Sequence, residues 1–150
     1  MKKILFVLIA VGSLAACKTE DKKVKDSPAL SPEQKQQALT DSSNFTSIQW
    51  LDSTFLDLGN VKKGATVEVA FRFKNSGSKQ LVITDVHPGC GCTAPDKPEK
   101  PFAPGEEGVI KAKFNSEGQS VGEHRKNITV SSNTNPTTAL LEFRVNVTDK

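Results

Sequence analysis

"VEVAFRFK", residues 67–74, decides the fold. Val67, Val69, Phe71 and Phe73 alternate with Glu68, Ala70, Arg72 and Lys74. A period of two places one set of side chains in a core and the other in water, which is the signature of a strand with one buried face. Phenylalanine and valine, two of the residue types that pack best on a pleated surface, dominate the apolar set.

The same pattern recurs on both sides of this stretch. Leu81-Val82-Ile83 with Val86, then Val109 to Phe114, then Ile128 and Val130, then Leu141, Phe143, Val145 and Val147 all read as short strands. Between them stand "GNVKKG", "NSGSKQ", "KPEKPFAPGEEG", "NSEGQSVGE" and "SSNTNPT", which carry the glycine, proline, asparagine and serine that turns require. No helical period follows Ile48. About seven short strands over roughly 100 residues predict an all-β, immunoglobulin-like antiparallel β-sandwich.

The N-terminus reads differently. "MKKILFVLIAVGSLAAC" has a basic start at Lys2 and Lys3, an apolar run from Ile4 to Ala16, and small residues leading into Cys17. This is the layout of a signal peptide, and the run is shorter than the about 20 apolar residues that span a bilayer. Leu14-Ala15-Ala16-Cys17 resembles a bacterial lipobox, which implies cleavage after residue 16 and acylation, such as palmitate, on Cys17. The alternative is ordinary cleavage near Ala16 with Cys17 left as a free thiol. The lipobox reading predicts an exported protein of the bacterial cell envelope, anchored in a lipid membrane, expected to be the outer membrane, through Cys17.

Three segments are therefore expected: a signal peptide over 1–16, a lipidated tether over 17–46, and a domain over 47–150. From Lys18 to about Ser47 the chain mixes charges with serine and proline and has one aromatic residue, too little apolar surface to offset the entropy of ordering. A short helix through about Leu39 is expected inside this disordered tether, because Ser31, Pro32 and Gln34 fit a capping box with proline at the first helical position. A flexible chain of about 29 residues would hold the domain on the order of 30 Å from its lipid. The whole sequence has a formal charge of +3, and without Lys2 and Lys3 it has 18 basic against 17 acidic residues, or +1. That balance argues against nucleic acid as a partner.

"FLDLGNVKKGATVEVAFRFKNSGSKQLVITDVHPGCGCTAP", with "FAPGEEGVIKAKFNSEG" and "KNITVSSNTNP" after it, resembles the bacterial family of unknown function DUF1573 across roughly residues 48 to 148. The most specific part is the Gly-Cys-Gly-Cys-Thr block at Gly89 to Thr93, followed by the Pro-Gly-Glu turn at Pro104 to Glu106. The remaining framework is shared with immunoglobulin-like modules of cilia, sperm and chaperone-like proteins. The resemblance implies an immunoglobulin-like sandwich in an exported, often lipid-anchored protein, and supplies no activity.

"HPGCGC", residues 87–92, holds the two remaining cysteines. In an oxidising compartment an even pair favours a disulfide. Residues two apart in an extended strand sit near the upper limit of the Cα separation a disulfide accepts, so the bond needs a turn, which Gly91 is expected to supply by adopting positive φ. A metal reading would recruit His87 with Cys90 and Cys92, yet structural zinc takes four ligands, and only His124 is left to complete the set. The Cys-x-Cys spacing also lacks the intervening pair of residues found in Cys-x-x-Cys redox motifs. The plain reading is a tight corner, with or without a disulfide, and no metal or other cofactor.

Catalytic motifs are missing as well: two histidines, no tyrosine, no Gly-x-Ser-x-Gly and no His-Glu-x-x-His. The chain reads as a non-enzymatic binding or scaffold module for an envelope protein or glycan. The alternative is a thiol or soft-metal handling protein that uses the Cys-Gly-Cys loop. With a short fourth strand after Cys92, strict antiparallel alternation predicts that "GNVKKG", "HPGCG" and "NSEGQSVG" share one end of the sandwich, where Lys62, Lys63, His87 and Glu117 are the candidate partner contacts.

Overall fold

The computed structural model describes residues 28–149, so the signal peptide and Cys17 lie outside the described residues. Eight strands form two four-stranded sheets: β1 (Ile48–Trp50), β2 (Phe55–Lys62), β3 (Thr66–Asn75), β4 (Ile83–Pro88), β5 (Thr93–Pro95), β6 (Glu107–Asn115), β7 (Gly122–Ser132) and β8 (Thr138–Thr148). One sheet has the order β1-β3-β6-β5 and the other β2-β8-β7-β4. The expected sandwich is therefore present, with eight strands where about seven were expected. β5 is the short strand after Cys92 on which the alternation of the loops depends, and β1 and β5, three residues each, are too short to show a period.

β3 is paired with β6 in an unbroken antiparallel register from Thr66↔Asn115 to Lys74↔Glu107. Its odd-numbered residues from Val69 to Phe73 are buried, as their alternation predicts. They meet Ile110, Ala112 and Phe114 of β6 and, across the sandwich, Ile128, Val130, Leu141, Phe143, Val145 and Val147. Burial of each phenylalanine contributes roughly 2–3 kcal/mol. The rings meet edge to face, Phe114 with Phe143 at 5.7 Å and Phe73 with Phe102 at 4.9 Å, the arrangement that aromatic quadrupoles favour.

The sheets are antiparallel with one exception. β2 runs parallel to β8, from Phe55↔Glu142 to Lys62↔Thr148, with a register shift between Asp57 and Asn60 where Gly59 adopts φ 65°. The chain begins in the first sheet as β1, pairing with the end of β3, and then crosses to the second sheet as β2. Asp52 holds this crossover, because its carboxylate accepts from the backbone N–H of Arg72 and from the Arg72 guanidinium. That partner lowers the Asp52 carboxyl to about 2. β1 reaches only Phe73 to Asn75, so among the described residues Thr66 to Phe71 have no strand on that side.

The described part of the expected tether is ordered against the domain. α1 (Pro32–Thr40) carries the predicted capping box, with Ser31 as N-cap and Pro32 at its start. No residue of α1 is buried, which agrees with its polar composition. The chain on either side of it is nonetheless fastened: Leu30 N–H donates to the Glu99 carbonyl, Thr46 N–H to the Asn133 carbonyl, and Asn133 Nδ2 to the Asn44 carbonyl. Polar backbone contacts do this, not apolar burial, so hydrophobicity alone gave no sign of it.

Candidate functional site

Three loops converge at one end of the sandwich. Ser116, fully buried after β6, donates its N–H to the Ala65 carbonyl and places its hydroxyl 2.9 Å from the carbonyl oxygens of both Lys62 and Ala65. Asn115 N–H donates to the Cys92 carbonyl at 2.9 Å, joining the β6 end to the cysteine corner. Gly89 N–H donates to the Asn127 carbonyl at 2.9 Å, joining that corner to β7. In addition, Lys126 Nζ donates to Gln119 Oε1 while standing 6.0 Å above the Phe114 ring. Its apolar stem covers the core and its charge stays at the rim.

Lys62, Lys63 and Glu117 are exposed on these loops, and Val121 beside them is 52% exposed. His87 is exposed on the outer face of β4, opposite Thr129 of β7. The structure thus gathers Lys62, Lys63 and Glu117 with the cysteine corner and puts His87 on its flank.

At the corner, Cys90 and Cys92 are bonded to each other with their Cα atoms 5.3 Å apart. The Thr93 N–H donates to the Cys90 carbonyl at 3.2 Å, closing a four-residue turn that brings the two cysteines within bonding range. Gly91 does not adopt the positive φ expected of it; among the described glycines that conformation belongs to Gly59, Gly64, Gly105 and Gly122. Gly89 matters for another reason. A Cβ there would stand 2.0 Å from Asn127 Oδ1, so the missing side chain lets the corner lie close on β7. The Thr93 side chain points back at the sulfurs, its Oγ1 3.6 Å from Cys90 Sγ and 3.9 Å from Cys92 Sγ.

His124 cannot complete a metal site with this corner. It is paired with Val145 on the core-facing side of β7, and its Nε2 lies 2.7 Å from the Ser120 carbonyl oxygen. His87 projects from the opposite face of the same sheet, beside a β7 residue five positions further along, or about 16 Å. Among the described residues no three His, Cys, Asp or Glu side chains are grouped to hold a metal ion.

The other end of the sandwich is built on two buried asparagines that the sequence reading did not single out. Asn75 Nδ2 donates to the carbonyls of Lys79 and Phe102, and its Oδ1 accepts from Thr46 Oγ1 and Gly77 N–H. Asn133 Oδ1 accepts from Val82 N–H, and its Nδ2 donates to the carbonyls of Asn44 and Gln80. Both lie in stretches read as turn signals, where asparagine looks the same whether its amide faces solvent or ties loops together.

Among solved structures, the chain is similar to a protein of unknown function from Porphyromonas gingivalis W83, with TM-score 0.60 and 15% identity over 70% of this chain. The chain spans only 48% of that protein's length. It is also similar to the seventh PapD-like domain of human CEP192, with TM-score 0.53, 10% identity, and coverage of 96% of this chain and 99% of that one. At these identities the likeness shows the fold alone, an immunoglobulin-like domain of PapD type. No curated protein matches the chain. A family model described as "Protein of unknown function (DUF1573)" matches residues 48–147, which include both sheets and the cysteine corner, and the chain belongs to that family.

Proposed function

We propose that this chain is a non-catalytic, lipid-anchored module of the bacterial envelope that binds a protein or glycan partner at the cysteine end of its sandwich. The observation that carries this reading is the asymmetry of the two ends. Asn44, Thr46 and Ser47 of the N-terminal segment are hydrogen-bonded to the end built on Asn75 and Asn133, whereas no described segment folds over the loops of Lys62, Cys90 and Glu117. The chain therefore enters from the far end. The roughly ten residues between Cys17 and Pro28 reach at most about 35 Å, so an anchor at Cys17 would leave the cysteine end facing away from the lipid.

The hydrogen bonds of Ser116, Asn115 and Gly89 fix these loops to one another, and a surface that is already ordered loses little entropy on binding. The unpaired side of β3 begins at Thr66, next to this end, and offers backbone groups to an extended segment of a partner. The test uses two sets of alanine replacements in the lipidated protein, Lys62, Lys63, His87 and Glu117 against Lys79, Lys97, Glu99 and Asn135. Recovery of the crosslinked envelope partner should fall with the first set and persist with the second. Equal loss from both sets, or loss from the second alone, contradicts the assignment.

A further inference from the structure

We propose that the Cys90–Cys92 bond is a thiol–disulfide exchange site, with Cys90 as the exchanging sulfur and Thr93 as the residue that holds its thiolate. This goes beyond the binding reading and does not depend on it. Thr93 is buried, with 3% of its surface exposed. Among the described residues its hydroxyl has only the two sulfurs as neighbours of hydrogen-bonding type, Cys90 Sγ at 3.6 Å being the nearer. A buried hydroxyl needs an acceptor, and a sulfur in a disulfide is a weak one. A thiolate is a strong, charge-assisted acceptor. The Thr93 hydrogen bond is therefore stronger when Cys90 is an anion than when it is bonded to Cys92, and a hydrogen bond to the charged form favours that form.

The two sulfurs are not equivalent. Cys92 packs against the core, and its carbonyl is held by Asn115 of β6. Cys90 precedes it across the exposed Gly91 and does not join that cluster. An incoming thiolate would meet Cys90 Sγ, forming a new S–S bond there as the Cys90–Cys92 bond breaks and its electron pair leaves on Cys92 Sγ, which takes a proton from water. A second thiol of the incoming dithiol, as its thiolate, then attacks its own sulfur in the mixed disulfide. That step expels Cys90 as a thiolate, which Thr93 Oγ1–H receives. In sum the partner dithiol is oxidised to a disulfide and its two electrons reduce the pair; of the two protons it releases to water, one is taken up by Cys92 and the other stays in solution while Cys90 is held as the thiolate. The reverse sequence starts with Cys90 attacking a partner disulfide. Gly89 fastened to Asn127 and Cys92 fastened to Asn115 keep the two cysteines within reach for reclosure. The exchange is stoichiometric, so it adds a covalent reaction to a module that need not turn over a substrate.

The chemistry fits a small thiol or a dithiol protein, and the two probes are glutathione and reduced thioredoxin. The oxidised full-length protein is incubated with each, and adducts and free thiols are located by mass spectrometry. Reduction of the pair by either probe while the protein stays folded is the expected result, together with a mixed disulfide that oxidised glutathione, releasing one reduced glutathione, forms faster on Cys90 of a Cys92→Ser variant than on Cys92 of a Cys90→Ser variant. Faster reaction with glutathione assigns the site to small thiols, and faster reaction with thioredoxin assigns it to protein dithiols. A bond that resists both probes, or an adduct that fails to form on Cys90, overturns the proposal. For Thr93, the rate of Cys90 alkylation against pH in Cys92→Ser should move to higher pH with Thr93→Val and return with Thr93→Ser. Superimposable profiles for the valine and serine variants would remove Thr93 from the site. Because Thr93→Ser keeps the hydroxyl and loses only a methyl group, it separates the hydrogen bond from the packing.

Discussion

Thr46 Oγ1 donates to Asn75 Oδ1 across 3.0 Å, joining the N-terminal segment to the last residue of β3 at a fully buried amide. Every donor and acceptor of that amide is used, and a satisfied buried network makes its loops specific because each missing partner strands the others. Asn75→Ala should strand the N–H of Gly77 and remove one of two donors from each of the carbonyls of Lys79 and Phe102, which keep Thr46 Oγ1–H and Leu81 N–H. A loss of about 1–3 kcal/mol is expected, the cost of a buried polar group left unpaired. Denaturant unfolding checks it, and a loss below about 0.5 kcal/mol would mean that water replaces the amide.

The crossover from β1 to β2 makes a pH-dependent prediction. Arg72 holds Asp52 at about 2, below its ordinary 3.8. A carboxyl depressed on folding contributes stability that is present above its unfolded value and is lost as pH falls through its folded value. Thermal midpoints measured from pH 6 to pH 2 should therefore fall more steeply in the wild type below about pH 4 than in Asp52→Asn. Parallel curves would show that the pair does not contribute.

Reduction of Cys90–Cys92 should leave the sandwich folded. The bond closes a loop with one intervening residue, and the loop-closure estimate for so short a ring is about 1–2 kcal/mol. Far-ultraviolet circular dichroism with and without reductant, followed through a denaturant titration, gives the answer. Collapse of the native signal on reduction would make the bond a structural staple.

Gly108 tests the packing around β6. A Cβ at this position would lie 2.5 Å from Phe73 Cζ and 2.5 Å from Phe102 Cε1. Gly108→Ala should cost about 1–3 kcal/mol, the usual range for overpacking. Combining it with Phe102→Leu should recover part of the loss, and an additive pair of changes would place the strain elsewhere.

The sandwich was legible because β3, β6 and β8 alternate over nine or more residues, and only a sheet with one buried face explains that pattern. The parallel β2·β8 pair was not, since strand direction leaves no mark on a period of two and depends on the crossover at Asp52. The capping box at Ser31 identified a helix, but its docking rests on backbone bonds near Leu30, Asn44 and Thr46, to which composition is blind. At the candidate site the spacing of Cys90 and Cys92 announced the corner, and strand alternation brought its neighbouring loops together. Thr93 stood inside the Gly-Cys-Gly-Cys-Thr block without showing its role, and Ser116 gave no signal, because a hydroxyl near a turn looks the same whether it faces solvent or a buried acceptor.

The proposal that the cysteine end holds the partner is tested most directly by position-specific crosslinking. A photo-crosslinking amino acid is placed at Glu117 in one protein and at Asn135 in another, each lipidated and irradiated in its native envelope. One discrete adduct is expected from position 117 and none of that mass from position 135. The same adduct from position 135 with none from position 117 would put the binding surface at the end built on Asn75 and Asn133, and would contradict the proposal.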